Sequence, residues 1–278
     1  MPAAPAIRTL TPAEVERLVD WAAGEGWNPG FADAIAFHAA DPEGFLGAFV
    51  DGEMVAGIAA VAYGEDFGFI GLYICRPGLR GKGYGRAVWD AGMARLEGRS
   101  VGLDGVPGQQ ANYRSMGFVA SYRTVRFSGR LGPRGVDSAI QPLRPYLLPA
   151  AFAFDRRFFP ASREAFLDRW LRPPHTALAL VRDGSLAGYG VARRCRDGFK
   201  VGPLFAKGDE DAESLFAALA ASVDGVVHLD VPETAERFSS FLRAEGFAEG
   251  FETARMYRGP APAAAEKVIH AVTSLELG

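Results

Sequence analysis

The segment Arg76-Pro77-Gly78-Leu79-Arg80-Gly81-Lys82-Gly83-Tyr84-Gly85-Arg86 concentrates small residues and cations in a pattern that suits an anion. Glycines let backbone N–H groups converge on a phosphate, a helix starting behind them adds favourable potential, and Arg80, Lys82 and Arg86 add positive charge. Two nucleotide motifs fail to fit. A Walker loop needs Ser or Thr after its lysine, whereas Gly83 follows Lys82, and only Leu79 and Arg80 separate Gly78 from Gly81. A dinucleotide fingerprint needs G-x-G-x-x-G, whereas Gly81, Gly83 and Gly85 simply alternate.

The elements that must hold this turn are legible around it. Thr11-Pro12-Ala13-Glu14 starts a helix to about residue 23, Trp27-Asn28-Pro29-Gly30 breaks it, and 31–40 reads as a second short helix before Asp41-Pro42. Residues 47–50 and 54–61 are β-rich runs joined by Asp51-Gly52, a strong hairpin signal. A third strand over 67–75 leads into the glycine turn, and Val88, Trp89, Met93 and Leu96 share one helical face behind it. A buried strand at 101–103 and a short helix over 111–116, closed by Gly117-Phe118, complete the unit.

The remainder repeats it. Asp183-Gly184 echoes Asp51-Gly52, Val201-Gly202 echoes Ile70-Gly71, Leu229-Asp230 echoes Leu103-Asp104, and Gly246-Phe247 echoes Gly117-Phe118, all in order and offset by 126 to 132 residues. Matches at near-constant spacing read as a domain-scale duplication. Glycine and proline crowd 128–145, which marks a connection, so the expected organisation is a domain at 1–128, a linker at 129–145 and a domain at 146–278.

Arg80-Gly81-Lys82-Gly83-Tyr84-Gly85 matches [QR]-x-x-G-x-[GA], and with the order of elements over roughly 5–128 the chain resembles the GCN5-related N-acetyltransferases, the GNAT superfamily. As a whole, down to its ending Ser274-Leu275-Glu276-Leu277-Gly278, it resembles bacterial proteins that pair such a domain with a degenerate C-terminal copy. The resemblance implies an α/β (α+β) fold of two tandem GNAT-like domains, each a mixed, mostly antiparallel twisted sheet flanked by helices. It implies acetyl-CoA as co-substrate, with the diphosphate on Arg80, Gly81, Lys82, Gly83, Tyr84, Gly85 and Arg86. The backbone of Leu72, Tyr73 and Ile74 would then hold the pantetheine arm, one N–H polarising the thioester carbonyl. Tyr113, four residues before Gly117, takes the place of a tyrosine that protonates the departing thiolate, while Val106 stands where an asparagine is common. The implied activity is acetyl transfer to a primary amine by direct attack in a ternary complex. The alternative is an acyl-CoA sensor or interaction module without turnover.

An attacking amine must first lose a proton, because a free alkylamine resembles lysine with a pKa near ~10.4. Residues 69–74 contain no acid, which leaves Glu65, Asp66 and Asp104 as the nearest candidates, each with a rival role as a solvated turn acid or loop anchor. Glu25, Trp27 and Phe31, between the first two helices, resemble in position the family's acceptor-lining segment, with core packing as the rival role of the two aromatics. In the second copy Lys207-Gly208 is followed by Asp209, Glu210 and Asp211, which put negative charge where a diphosphate would sit, and Leu242 replaces the tyrosine. Residues 146–278 are therefore expected to bind no coenzyme and to serve as cover, dimer contact or a wall of the acceptor pocket.

Composition narrows the partners. With 30 basic and 33 acidic residues in 278 and a formal charge of −3, nothing demands a nucleic acid, and the expected partner is a small-molecule or peptide amine. A homodimer is compatible with these features. No run approaches the roughly 18 apolar residues of a membrane helix, and the start has no basic and apolar leader pattern, so the sequence reads as cytoplasmic. Cys75 and Cys195 lack C-x-x-C spacing, and His38, His175, His228 and His270 do not cluster, so no metal is expected.

Overall fold

The computed structural model describes residues 4–135, 137–262 and 268–278. The first copy runs β1 (Ala6–Thr9), α1 (Pro12–Gly24), α2 (Asp33–Ala40), β2 (Phe45–Val50), β3 (Glu53–Tyr63), β4 (Phe67–Cys75), α3 (Tyr84–Arg95), β5 (Ser100–Gly105), α4 (Gln110–Ser115) and β6 (Val119–Gly129). After β7 (Ile140–Pro142) the second copy repeats the order. It runs α5 (Leu148–Asp155), α6 (Glu164–Trp170), β8 (Thr176–Arg182), β9 (Ser185–Arg194), β10 (Phe199–Ala206), α7 (Asp209–Ala221), β11 (Val227–Pro232), α8 (Glu236–Ala244) and β12 (Ala248–Arg258).

Local chemistry sets these elements. Thr11 and Glu14 form a reciprocal capping box that opens α1. Both Asp-Gly turns have positive φ at each central residue, 50° and 82° at Asp51-Gly52 and 49° and 71° at Asp183-Gly184, the geometry that matches strand twist in a two-residue hairpin.

All described strands join one 12-stranded sheet in the order β1-β2-β3-β4-β5-β12-β6-β11-β10-β9-β8-β7. Pairing is antiparallel except for β4 with β5 and β10 with β11. The last strand of each copy is exchanged. β6 pairs with β11 of the second copy, β12 pairs with β5 of the first, and the two exchanged strands pair with each other at the centre. Residues 119–129 therefore follow the first copy in sequence and sit against the second in space. The physical reason is local: both strands have 11 residues and follow a short helix, and both carry an arginine that answers an aspartate on the receiving strand. Arg126 chelates Asp230 at 2.7 and 3.0 Å, and Arg255 chelates Asp104 at 2.9 and 2.8 Å.

Helices cover both faces. α1, α2, α5 and α6 share one core with Phe69 and Leu72 of β4, and Phe37 of α2 stacks on Trp170 of α6 at 5.9 Å across the two copies. On the other face α3 and α4 pack on the first copy around Trp89 and Tyr113, while α7 and α8 pack on the second around Phe216 and Phe238.

The parallel pairs open like a V. β4 and β5 are in register from Phe67 opposite Ser100 to Ile70 opposite Leu103 and then part. A bulge causes the parting. Gly57 of β3 faces Ile74 while Ala59 faces Gly71, so β4 carries an extra residue there, and Leu72 takes a φ of 47°. β10 is bulged at the matching place, between Val201 and Leu204.

Segment 268–278 crosses both bulges. Ala271 bridges to Leu204 of β10, and the Val272 N–H donates to the Asp230 carbonyl of β11 at 3.0 Å, so the second V is filled by protein backbone. The chain then reaches the first bulge, where Leu277 enters the shared core and its carbonyl accepts from the Tyr63 hydroxyl at 3.0 Å. Gly71 is required at this crossing, because a Cβ there would lie 1.8 Å from the Glu276 carbonyl oxygen.

Candidate active site

The first V is open and forms a cavity of about 510 Å³. Its floor is the bulged strand from Ile70 to Cys75, its mouth is the glycine turn, and the second copy closes its far side with Phe251, Thr253, Leu275 and Glu276.

At the mouth, a single helical turn over Pro77–Leu79 leads to Gly81 and Gly83, whose φ values of 77° and 89° lie in the left-handed region open to glycine. Among the described residues beyond its chain neighbours, no atom lies within 4 Å of where a Cβ would stand on either glycine, so the turn presents bare backbone. Gly83 also opens α3, and no side chain caps that helix start, which leaves its first-turn N–H groups available to an anion. The Arg80 guanidinium pairs with Glu25 and donates to the Cys75 carbonyl at 3.0 Å, while Arg86 pairs with Asp90 at 2.7 Å. Lys82 is exposed and lies outside the cavity, and the Tyr84 ring is buried in the core, so only the backbone of Tyr84 can serve the turn.

Further in, Tyr113 lines the cavity from α4, stacked on Trp89 at 5.6 Å. Burial, with Tyr73 adding to it, pushes its phenol pKa far above the ordinary value, so the hydroxyl stays protonated. Val106 lines the cavity with an apolar side chain. Cys75 is half-buried, and burial raises its thiol pKa although Arg80 opposes it. None of the four histidines borders the cavity.

Of the three acids nearest the strand in sequence, Glu65 and Asp66 stand before the start of β4, away from the cavity, because the glycine turn follows the opposite end of that strand. Asp104 does line the cavity, yet both its oxygens are held by Arg255. Burial disfavours both charges: it raises the Asp104 carboxyl although Arg255 opposes it, while at Arg255 the attraction of Asp104, Tyr122 and Tyr257 outweighs burial and raises the guanidinium, so Asp104 is the counter-ion of Arg255. Glu25 and Trp27 border the cavity. Phe31 does not; it is 64% exposed and lies beside the Arg196 guanidinium of the second copy.

Two features escaped sequence reasoning. The loop carrying Trp27 is tied to the second copy and to the exchanged strand β6, its carbonyl accepting from Lys200 at 2.9 Å and Arg126 at 3.3 Å. Glu276 is 3% exposed, borders the cavity, and has a buried Oε2 with no partner among the described residues. The signal available was a lone acid between two leucines, but nothing local links it to a strand some 200 residues earlier.

At the matching place in the second copy, α7 begins with Asp209, Glu210 and Asp211. Asp211 pairs with Arg182 at 2.7 Å and Asp209 with His270 at 3.2 Å, so the acids are locked by the second copy's own groups.

A V between parallel strands with a backbone bulge on its wall is present twice, and the first is open with an uncapped glycine turn at its mouth. Sequence comparisons agree: residues 13–118 match the acetyltransferase (GNAT) family, and residues 151–271 match an acetyltransferase (GNAT) domain. The chain is 36% identical over 280 residues to a holothin acyltransferase of Pseudoalteromonas sp. (strain SANK 73390), covering 97% of this chain and 94% of that protein. Its fold matches a candidate acetyltransferase from Pyrococcus horikoshii with a TM-score of 0.85 at 19% identity, over 100% of this chain and 97% of that one. It also matches a tandem GNAT protein from the clavulanic acid biosynthesis pathway with a TM-score of 0.62 at 16% identity, over 92% and 99%. The chain belongs to the GNAT superfamily as a tandem-domain acyltransferase.

Proposed function

We propose that this protein moves an acetyl group from acetyl-CoA to a primary amine of a small molecule, by direct attack within a ternary complex in the first cleft. The observation that carries this reading is the meeting, in one cavity, of the bare glycine turn, the bulged backbone of Leu72-Tyr73-Ile74 and Tyr113. The turn's N–H groups and the start of α3 suit a diphosphate, with Arg80 and Arg86 at its edge. The bulge frees backbone N–H and C=O groups from the β4–β5 ladder, and these would hold the pantetheine arm and polarise the thioester carbonyl. Tyr113, kept protonated by burial, would donate to the leaving sulfur, whose acid has a pKa near ~8.5.

A cysteine-linked route has less support, because Cys75 has a raised pKa and no histidine beside it. A small acceptor is favoured by the closed far wall and by similarity, along nearly the whole chain, to a relative named for acyl transfer to holothin. The second copy would bind no coenzyme, since its V holds Ala271 and Val272 and its helix start is acidic.

The test is thiol release from acetyl-CoA with a panel of small amines and peptides, with the amide identified by mass. Amine-dependent release with a small-molecule product supports the proposal. Saturable acetyl-CoA binding with no release across the panel supports a sensor instead.

A further inference from the structure

The mechanism lacks a proton acceptor, because Asp104 is held by Arg255 and Glu65 lies elsewhere. Glu276 meets the requirement. Gly71 leaves room for the backbone of residue 276 to lie directly on the bulge, and the Ser274 hydroxyl accepts from the Leu277 N–H at 3.1 Å, folding the chain into a turn that holds Glu276 over the cleft. Leu277 is fixed in the core, so the turn is anchored immediately after the acid.

Two cations of the surrounding cluster share one acid. Arg193 has its own counter-ion in Asp33 and Arg255 has Asp104, but Arg126 and Lys200 share the single carboxylate of Asp230. Among the described residues of this cluster Glu276 is the remaining acid, and Asp104, Arg126, Arg193 and Lys200 all lie within its electrostatic reach. The other titratable groups bordering the cavity are Glu25 with Arg80, Arg86, Tyr73, Cys75 and Tyr113, of which only Glu25 is an acid, and it is paired. The Glu276 Oε2 is buried without a hydrogen-bond partner among the described residues, which costs about 1 to 3 kcal/mol, and on the border of a ligand cavity this points to a partner supplied by the ligand.

We infer that Glu276, delivered from the second copy's closing segment to the bulge of the first, receives the acceptor's ammonium and takes its proton, so that the catalytic centre is assembled from both halves of the chain. This rests on the acyl-transfer reading. Of the three protons on the ammonium nitrogen, one passes to Glu276 and on to solvent. The freed lone pair forms the C–N bond at the thioester carbonyl carbon, and the C–S bond breaks with its electron pair on sulfur. Tyr113 protonates that sulfur and recovers a proton from the adduct nitrogen, and the third proton stays on the amide.

The experiment compares wild type, Glu276→Gln and Glu276→Asp, using acetyl-CoA and the fastest primary alkylamine of a panel, with acetyl-CoA affinity measured by calorimetry. The inference predicts that Glu276→Gln binds acetyl-CoA within about threefold of wild type while kcat falls roughly 10² to 10⁴-fold near pH 7. The deficit narrows toward about pH 10, where the free amine needs no acceptor for its proton. Glu276→Asp recovers part of the loss. A Glu276→Gln kcat within about threefold of wild type, or a deficit that is uniform across pH, overturns the inference and leaves the acyl-transfer reading standing. Should the amide variant fail to fold, Glu276→Asp decides: lowered kcat with retained acetyl-CoA affinity supports the assignment, and unchanged kcat overturns it. Wild-type protein that binds acetyl-CoA but releases no thiol with any amine defeats both readings.

Discussion

At the scale of single residues, the proposed chemistry rests on a phenol and on backbone left bare by glycine. Tyr113→Phe keeps the ring that stacks on Trp89 and removes the proton donor, so acetyl-CoA affinity should hold while kcat drops by roughly 10²-fold. A loss of affinity equal to the loss of rate would assign Tyr113 to binding instead. Gly83 and Gly78 provide a matched pair. Neither would bring a Cβ into contact with anything, but only Gly83 has positive φ. Gly83→Ala should cost about 1 to 2 kcal/mol and weaken acetyl-CoA binding by re-aiming the turn, whereas Gly78→Ala should change neither by much. Equal effects in calorimetry would show that backbone conformation is not what the turn supplies. Residues of this kind were legible in the sequence because their spacing is local: the glycine turn lies within one loop, and Tyr113 is fixed by its distance from Gly117. Glu276 was hidden because its place depends on where a distant segment crosses a bulge, and the partner of Asp104 was hidden because Arg255 comes from the other copy.

At the scale of elements, the order of strands and helices followed from turn signals and periodicity, and the duplication followed from repeated short motifs. The exchange of β6 and β12 did not, since two strands of equal length with an arginine at matching positions fit either site. The paired aspartates now explain the shared Leu-Asp echo: each locks an incoming strand. Burial alone would push the Asp230 carboxyl up, but Arg126 and Lys200 override it and hold it at about 2. An unfolded aspartate titrates near ~3.9, so the unfolded chain takes up the proton first. The stabilisation is therefore complete above about pH 4 and is lost as pH falls toward about 2. Asp230→Asn should lower neutral-pH stability by about 3 to 5 kcal/mol, leaving two cations without their acid, and should flatten the acid limb in urea titrations. An unchanged acid limb would mean that other carboxylates govern it. Gly71→Ala tests the closing segment, because its Cβ must displace the Glu276 carbonyl. Turnover should fall sharply while the glycine turn still binds acetyl-CoA, and normal turnover would show that the crossing at the bulge is not needed.

At the scale of the whole molecule, one sheet and two exchanged strands make the halves interdependent. A fragment of residues 1–129 leaves β5 without β12 and β6 without β11, exposing bare strand edges. It should show no cooperative thermal transition by circular dichroism, and a fragment that melts cooperatively would mean that the first copy folds alone. The same interdependence separates the two clefts, since the segment that closes the second also completes the first. The most direct measurement is the stoichiometry of acetyl-CoA binding to the intact chain by calorimetry. One site per chain, weakened by Gly83→Ala, is the result this account predicts; two sites per chain, or none, would contradict it.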